Sequence, residues 1–252
     1  MSTDTIARGR TAPSTENTTE AFGVTPVNKV KRMHERGHYD RKTVYEILDA
    51  AVVCHIAYMI DGRPYCTPTA FWREGDHLYW HGSSASRMIR TQGQGIPVCL
   101  TVTHLDALVM ARSGFHHSVN YRAVMAFGTA HIVDDVEQKL KLMDRFIDRI
   151  YPDRSKLIRQ PNTQELKATT MMGMEIEHAS AKIRDKHVAD DEEDYAGVPA
   201  WSALYPVRQV IGAASECERQ LPGLKRPDQM ADFEPGMALD DLLTRSYRRT
   251  FD

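Results

Sequence analysis

Three short segments rich in β-branched and aromatic residues, separated by tight turns, constrain this chain more than anything else in its sequence. The first is Val52-Val53-Cys54-His55-Ile56-Ala57-Tyr58-Met59-Ile60, closed by Asp61-Gly62. Asp-Gly is the pair that a two-residue hairpin selects, because both turn positions take positive φ. A second strand follows over about residues 64–72, then the turn Glu74-Gly75-Asp76, then a third strand from His77 to His81. Strands joined this tightly pair antiparallel, as a meander, since a parallel crossover needs a dozen residues or more.

The rest of the chain extends that pattern. Residues 98–103, 107–111, 121–133 and 171–183 read as further strands, with Gly128 a bulge or close-approach point. Asp40 caps a helix bearing Val44, Ile47, Leu48 and Ala51 on one face, and residues 87–92 form a short helix closed by Gly93 and Gly95. Asp134 with Glu137 resembles a capping box, followed by the helical stripe Leu140, Met143, Phe146, Ile147 and Ile150. Mostly antiparallel strands with a few helices predict a β-barrel with helices packed outside it. There is no GxGxxG after the first strand, no GxxxxGK[ST] and no GxSxG elbow.

Charge narrows the function classes. Lys plus Arg is 32 and Asp plus Glu is 34, a formal net charge of −2. This excludes nucleic-acid binding through bulk positive charge but leaves room for one basic pocket. No stretch reaches the roughly 18 apolar residues of a membrane helix, and residues 1–19 lack the apolar core of a secretory signal. Cys54, Cys66, Cys99 and Cys217 form no CxxC pair, which reads as reduced thiols and a cytoplasmic location. No HExxH, paired HxH or carboxylate cluster among the strands points to a catalytic metal.

Three segments have the residue types for chemistry. In His81-Gly82-Ser83-Ser84-Ala85-Ser86-Arg87-Met88-Ile89-Arg90, small hydroxyl residues enter a helix carrying two arginines. Backbone N–H groups, serine hydroxyls and a guanidinium are what a phosphate needs, though a capped helix with a surface arginine has the same pattern. In Arg112 to Arg122, His116 and His117 are followed by Ser118, Asn120 and Tyr121. Each histidine is a proton carrier, a metal ligand or a hydrogen-bonding spacer, and neighbours on a strand face opposite ways, so the two do not bind one ion together. His55 lies within an apolar strand, either a satisfied core histidine or an axial ligand to haem iron; His104 and His131 carry weaker versions of that ambiguity.

The run from about Val52 to Asp194 resembles the FMN-binding split-barrel family related to pyridoxamine 5′-phosphate oxidase, in its flavin-nucleotide-binding or nitroimidazole-resistance-like branch. The match rests on Asp61-Gly62-Arg63-Pro64-Tyr65, Leu78-Tyr79-Trp80-His81-Gly82-Ser83, Ser86-Arg87-Met88, residues 97–103, and above all residues 112–122, with Ser180-Ala181-Lys182 and the acidic run 190–194. The resemblance implies a mainly β fold with flanking helices, a six-stranded antiparallel split β-barrel, that dimerises around FMN. Thr67 and Thr69 would run beside the isoalloxazine, His81, Gly82 and Ser83 along the flavin chain, and Ser86 with Arg87 on the phosphate. Asn120 and Arg122 would contribute from a later strand, and His81 or His117 could donate a proton.

The departures also carry information. The lysine that commonly follows Ser-Arg in the oxidases is Met88 here, and Arg90, one helical turn from Arg87, could supply the charge. The oxidases' C-terminal arginine–histidine strand is not recognisable, which argues against pyridoxamine phosphate as substrate. Some split-barrel relatives hold haem, for which His55 or His117 would be the ligand. The expectation is thus an FMN-dependent oxidoreductase acting on a small organic substrate as a homodimer. A haem-binding oxygenase or haem-handling protein, or a non-catalytic flavin binder, is the alternative. The expected organisation is a leader over residues 1–26, the barrel over 27–186, and an irregular extension over 187–252 with a short helix near Leu239 to Tyr247.

Overall fold

The computed structural model describes residues 20–251. In chain order the strands are β1 (Gly37–His38), β2 (Val53–Ile60), β3 (Arg63–Glu74), β4 (His77–Ser83), β5 (Pro97–Met110), β6 (Ser118–Thr129), β7 (His131–Ile132), β8 (Thr169–Glu175), β9 (His178–Arg184) and β10 (Ala203–Pro206). The helices are α1 (Arg41–Asp49), α2 (Arg87–Gln92), α3 (Val136–Ile150), α4 (Thr163–Ala168), α5 (Glu192–Gly197) and α6 (Leu239–Phe251). Among the described residues no helix is long and apolar enough to cross a membrane.

The meander forms as the turns dictate. Ile60 pairs with Arg63 across Asp61 (φ 47°) and Gly62 (φ 74°), the two positive φ values of a tight hairpin. Glu74 pairs with His77 across Gly75, whose φ is 54°. The strands assemble antiparallel in the order β1-β9-β6-β5-β2-β3-β4-β8-β7, with β10 added beside β5. This is a mostly antiparallel split barrel whose sheet has ten strands and is not closed, where six had been expected. Inward residues Ile56, Leu78, Trp80, Leu100, Val124 and Ala126 are fully buried and form its core. A second cluster of Trp72, Leu142 and Met171, joined by Tyr79 and Phe146, packs α3 onto the outside of β3, β4 and β8.

Two sequence boundaries move. Residues 98–103 and 107–111 are one strand, β5, whose register against β6 shifts at Asp106 in a bulge. Residues 171–183 are two strands, because Ile176 N–H donates to Asp76 O at 2.8 Å and Glu177 N–H to Phe127 O at 3.0 Å, carrying the chain from one half of the barrel to the other. Asp40 caps α1 by accepting from Thr43 N–H at 2.8 Å. The α3 cap is Asp135, which accepts from Gln138 N–H, rather than Asp134.

Residues 1–19 of the expected leader lie outside the described residues. The remainder of that leader is not separate from the barrel: Phe22 is buried in the main core and its N–H donates to Tyr39 O at 2.9 Å. The extension after residue 186 is also more regular than expected. Strand β10 pairs with β5, and α6 buries Leu242, Leu243 and Tyr247.

Candidate functional site

Alternation along β3 puts Tyr65, Thr67 and Thr69 on one face. The Tyr58 hydroxyl lies 3.2 Å from Thr67 Oγ1, and the Tyr58 and Tyr65 rings stack with centroids 5.8 Å apart. The chain leaves β4 through Gly82, which packs so closely on α2 that a Cβ there would lie 2.9 Å from Ile89 Cγ1. Trp80 Nε1 donates to the buried Gln92 Oε1 at 3.0 Å, fixing α2 against the barrel. Ser83 Oγ accepts from Ala85 N–H at 3.3 Å, and Ser86 N–H donates to Ser83 O at 2.8 Å.

This loop delivers α2 with its N-terminus open. Ser86 stands at the N-cap position, but its hydroxyl makes no capping hydrogen bond. The Arg87 guanidinium lies 4.6 Å over the Tyr65 ring, a cation–π contact that directs it toward β3. Arg87 and Arg90 are exposed, and neither has a carboxylate partner among the described residues. Arg87 on Tyr65 thus brings the start of α2, with Ser83 and Ser86, beside the face of β3 that carries Thr67 and Thr69. Tyr65, which directs Arg87, and Tyr58, stacked on it, were not picked out from sequence; their place on the same face as Thr67 was the available signal.

The other candidates are elsewhere. His81 points from the opposite face of β4 to Gly82, under α3, edge-on to Phe146 with centroids 4.8 Å apart. Its Nδ1 is buried without a hydrogen-bond partner among the described residues, and burial holds its imidazole below the ordinary value. Asn120 is buried and structural: its amide N–H donates to Lys186 O at 3.0 Å and its carbonyl accepts from Arg184. Arg122 donates to Asp106 at 2.8 Å and to Asp240 at 3.1 Å. Within one chain, register aligns Thr67 with Ile56, Leu100 and Ala126, so Arg122 does not share its row. His55 is exposed on the outer face of β2, and His117 is exposed just before β6.

The two polar segments singled out in the sequence meet each other. Arg112 N–H and Nη1 donate to the Asp190 carboxylate at 2.9 and 3.1 Å, and its guanidinium lies 4.9 Å from the Tyr195 ring centroid. His116 Nε2 is 3.3 Å from Asp191. The acidic run therefore acts as a clasp on the loop that precedes β6.

The buried setting of His81 carries a pH dependence. Its folded value lies below the ordinary 6.5, so the unfolded chain binds more protons between the two. Stability accordingly falls as pH drops through about 6.5 and the loss is complete below the folded value. His81→Phe is expected to flatten that part of a stability–pH profile, read by chemical denaturation at several pH values; an unchanged slope would refute it. His104, also lowered by burial, acts in the same direction and contributes to the slope that remains.

The pyridoxamine 5′-phosphate oxidase family model matches residues 40–183, from α1 into β9 and including α2. The chain belongs to this family. Two solved structures resemble it over most of their length. A flavocytochrome from Azotobacter vinelandii is 38% identical with a TM-score of 0.78, covering 84% of this chain and 98% of that one. An FAD- and haem-binding protein from Mycobacterium smegmatis is 30% identical with a TM-score of 0.75, covering 81% of this chain and 98% of that one. The covered share exceeds the span of the family model, so the likeness runs past the family's barrel. Among curated proteins, none matches the sequence.

Proposed function

We propose that this chain is a flavoprotein oxidoreductase of the flavocytochrome kind, binding a flavin nucleotide along the α2 edge and carrying haem as well. The carrying observation is the likeness to a flavocytochrome and to an FAD- and haem-binding protein over more than four-fifths of this chain. The residues present fit a flavin phosphate. Arg87 and Arg90 have no carboxylate partner among the described residues, and the Ser86 hydroxyl beside them makes no capping bond. Arg112 and Arg122, by contrast, are engaged by Asp190 and by Asp106 with Asp240.

A bound flavin supplies two-electron acceptance and one-electron release, while the protein contributes binding and orientation. Here Arg87, steadied by Tyr65, would donate in fork geometry to phosphate oxygens, with Ser86 Oγ donating beside it. Thr67 and Thr69 would line the ring system. FMN and FAD share the phosphate that this edge addresses. The chain works as a homodimer in this reading, since the outer face of the sheet leaves Val53, Met59, Leu105 and Met125 between 45 and 54% exposed.

The test is flavin affinity. Hydrogen bonds to charged groups are worth about 1.5–3 kcal/mol each, so the double variant Arg87→Ala, Arg90→Ala is expected to bind FMN or FAD at least tenfold more weakly by fluorescence titration. Both side chains are exposed, so its circular dichroism should be unchanged. Full flavin affinity in the double variant would remove the phosphate assignment.

A further inference from the structure

An iron-binding imidazole needs one nitrogen free to approach the metal and the other held by a hydrogen bond that fixes ring and tautomer. Five of the eleven histidines separate on that criterion. His104 Nε2 is engaged by Ile47 O at 3.0 Å, and its ring is half-buried. His116 Nε2 is enclosed beside Asp191. His81 is wedged under Phe146. His55 is exposed, but no hydrogen bond orients it among the described residues.

His117 meets both conditions. It is exposed, and its Nδ1 lies 2.8 Å from Ser113 O. A carbonyl only accepts, so Nδ1 carries the proton and Nε2 keeps its lone pair toward solvent. The holding turn is itself fixed, because Ser113 O also accepts from His116 N–H at 3.2 Å and Arg112 is clasped by Asp190.

The surface beside His117 suits a large apolar disc. Strand register places Val119 opposite Leu108, and Leu108 opposite Tyr205 of the tail strand β10. These three are 39, 47 and 45% exposed, an apolar row across three adjacent strands, and Trp201 packs edge-on to Tyr205. The tail thus enlarges this face next to His117. The geometry points to His117 as an axial iron ligand of a haem laid against Leu108, Val119 and Tyr205. This rests on the haem half of the proposed function.

The experiment titrates full-length protein with hemin and follows the Soret and visible bands. Wild type is expected to give a histidine-ligated spectrum. His117→Ala should lose it and bind hemin at least tenfold more weakly, added imidazole should restore the bands, and His55→Ala should retain them. Because His117 is exposed, its variant should melt at the wild-type temperature. A wild-type chain that takes up no haem would overturn the haem half of the proposed function and this inference with it. A haem-loaded wild type whose spectrum survives His117→Ala, or is lost in His55→Ala, would overturn the ligand assignment alone.

Discussion

Gly128→Ala is expected to destabilise the protein by about 3 kcal/mol or more, lowering the melting temperature by roughly 6–12 °C. A Cβ at this position in β6 would fall on the Glu175 carbonyl oxygen, well inside van der Waals contact. The obstacle is backbone, and it is pinned on both sides. Glu175 pairs with His77 in β4, while the next two residues donate to Asp76 O and Phe127 O where the chain crosses the barrel. Glu177 also accepts from Thr129 N–H and Oγ1 at 3.0 Å, tying the crossing to the residue after Gly128. Neither chain can retreat without breaking those bonds. Gly114→Ala is the control: a Cβ there meets nothing within 4 Å, so its effect should stay within about 0.5 kcal/mol. A Gly128→Ala protein that melts within 2 °C or so of wild type would show that the crossing is soft.

That crossing also marks the limit of what the sequence made legible. The β2–β4 meander was readable because Asp61-Gly62 and Gly75 demand positive φ, a local property. The break between β8 and β9 has no Gly, Pro or Asn at Ile176-Glu177; it exists because hydrogen-bond partners change there, and those partners lie far along the chain. The gap between residues 98–103 and 107–111 likewise holds Asp106, a bulge within one strand whose carboxylate holds Arg122. The candidate site divides in the same way. Ser86 and Arg87 were recognisable by residue type within one loop and helix start. That Arg122 is already engaged depends on Asp240, 118 residues away, and no local pattern reports it. The hydrophobic stripe of α3 was legible, but the buried cation it carries was not distinguished from a surface arginine.

That cation, Arg149, supports the second large expected effect: Arg149→Met should cost about 3 kcal/mol and loosen the C-terminal helix. Arg149 is 1% exposed on α3. It donates to Leu243 O of α6 at 2.7 Å, to Asp49 O, and to Ala51 O at 3.4 Å. Asp49 ends α1, where the last carbonyls lack partners within the helix, so the guanidinium satisfies groups that would otherwise be buried unbonded. Burial pushes its pKa down to about 10, so it remains a cation at neutral pH. Tyr247 of α6 lies 4.7 Å from Arg73 and 5.3 Å from Arg149, and Arg73 is itself bonded to the Asp49 carboxylate at 2.9 and 2.6 Å. Replacing a buried ion pair with apolar side chains is often neutral, but here the partners are main-chain carbonyls that no substitution at 149 removes. Methionine fills the space and leaves them unbonded, at about 1–3 kcal/mol for each group. Lysine should not rescue, because one ammonium lacks the planar fork that reaches two helices at once. Chemical denaturation would read the loss, and limited proteolysis should cut α6 free faster in the variant. If Arg149→Met proves as stable as wild type, packing of Leu242, Leu243 and Tyr247 holds α6 without the cation.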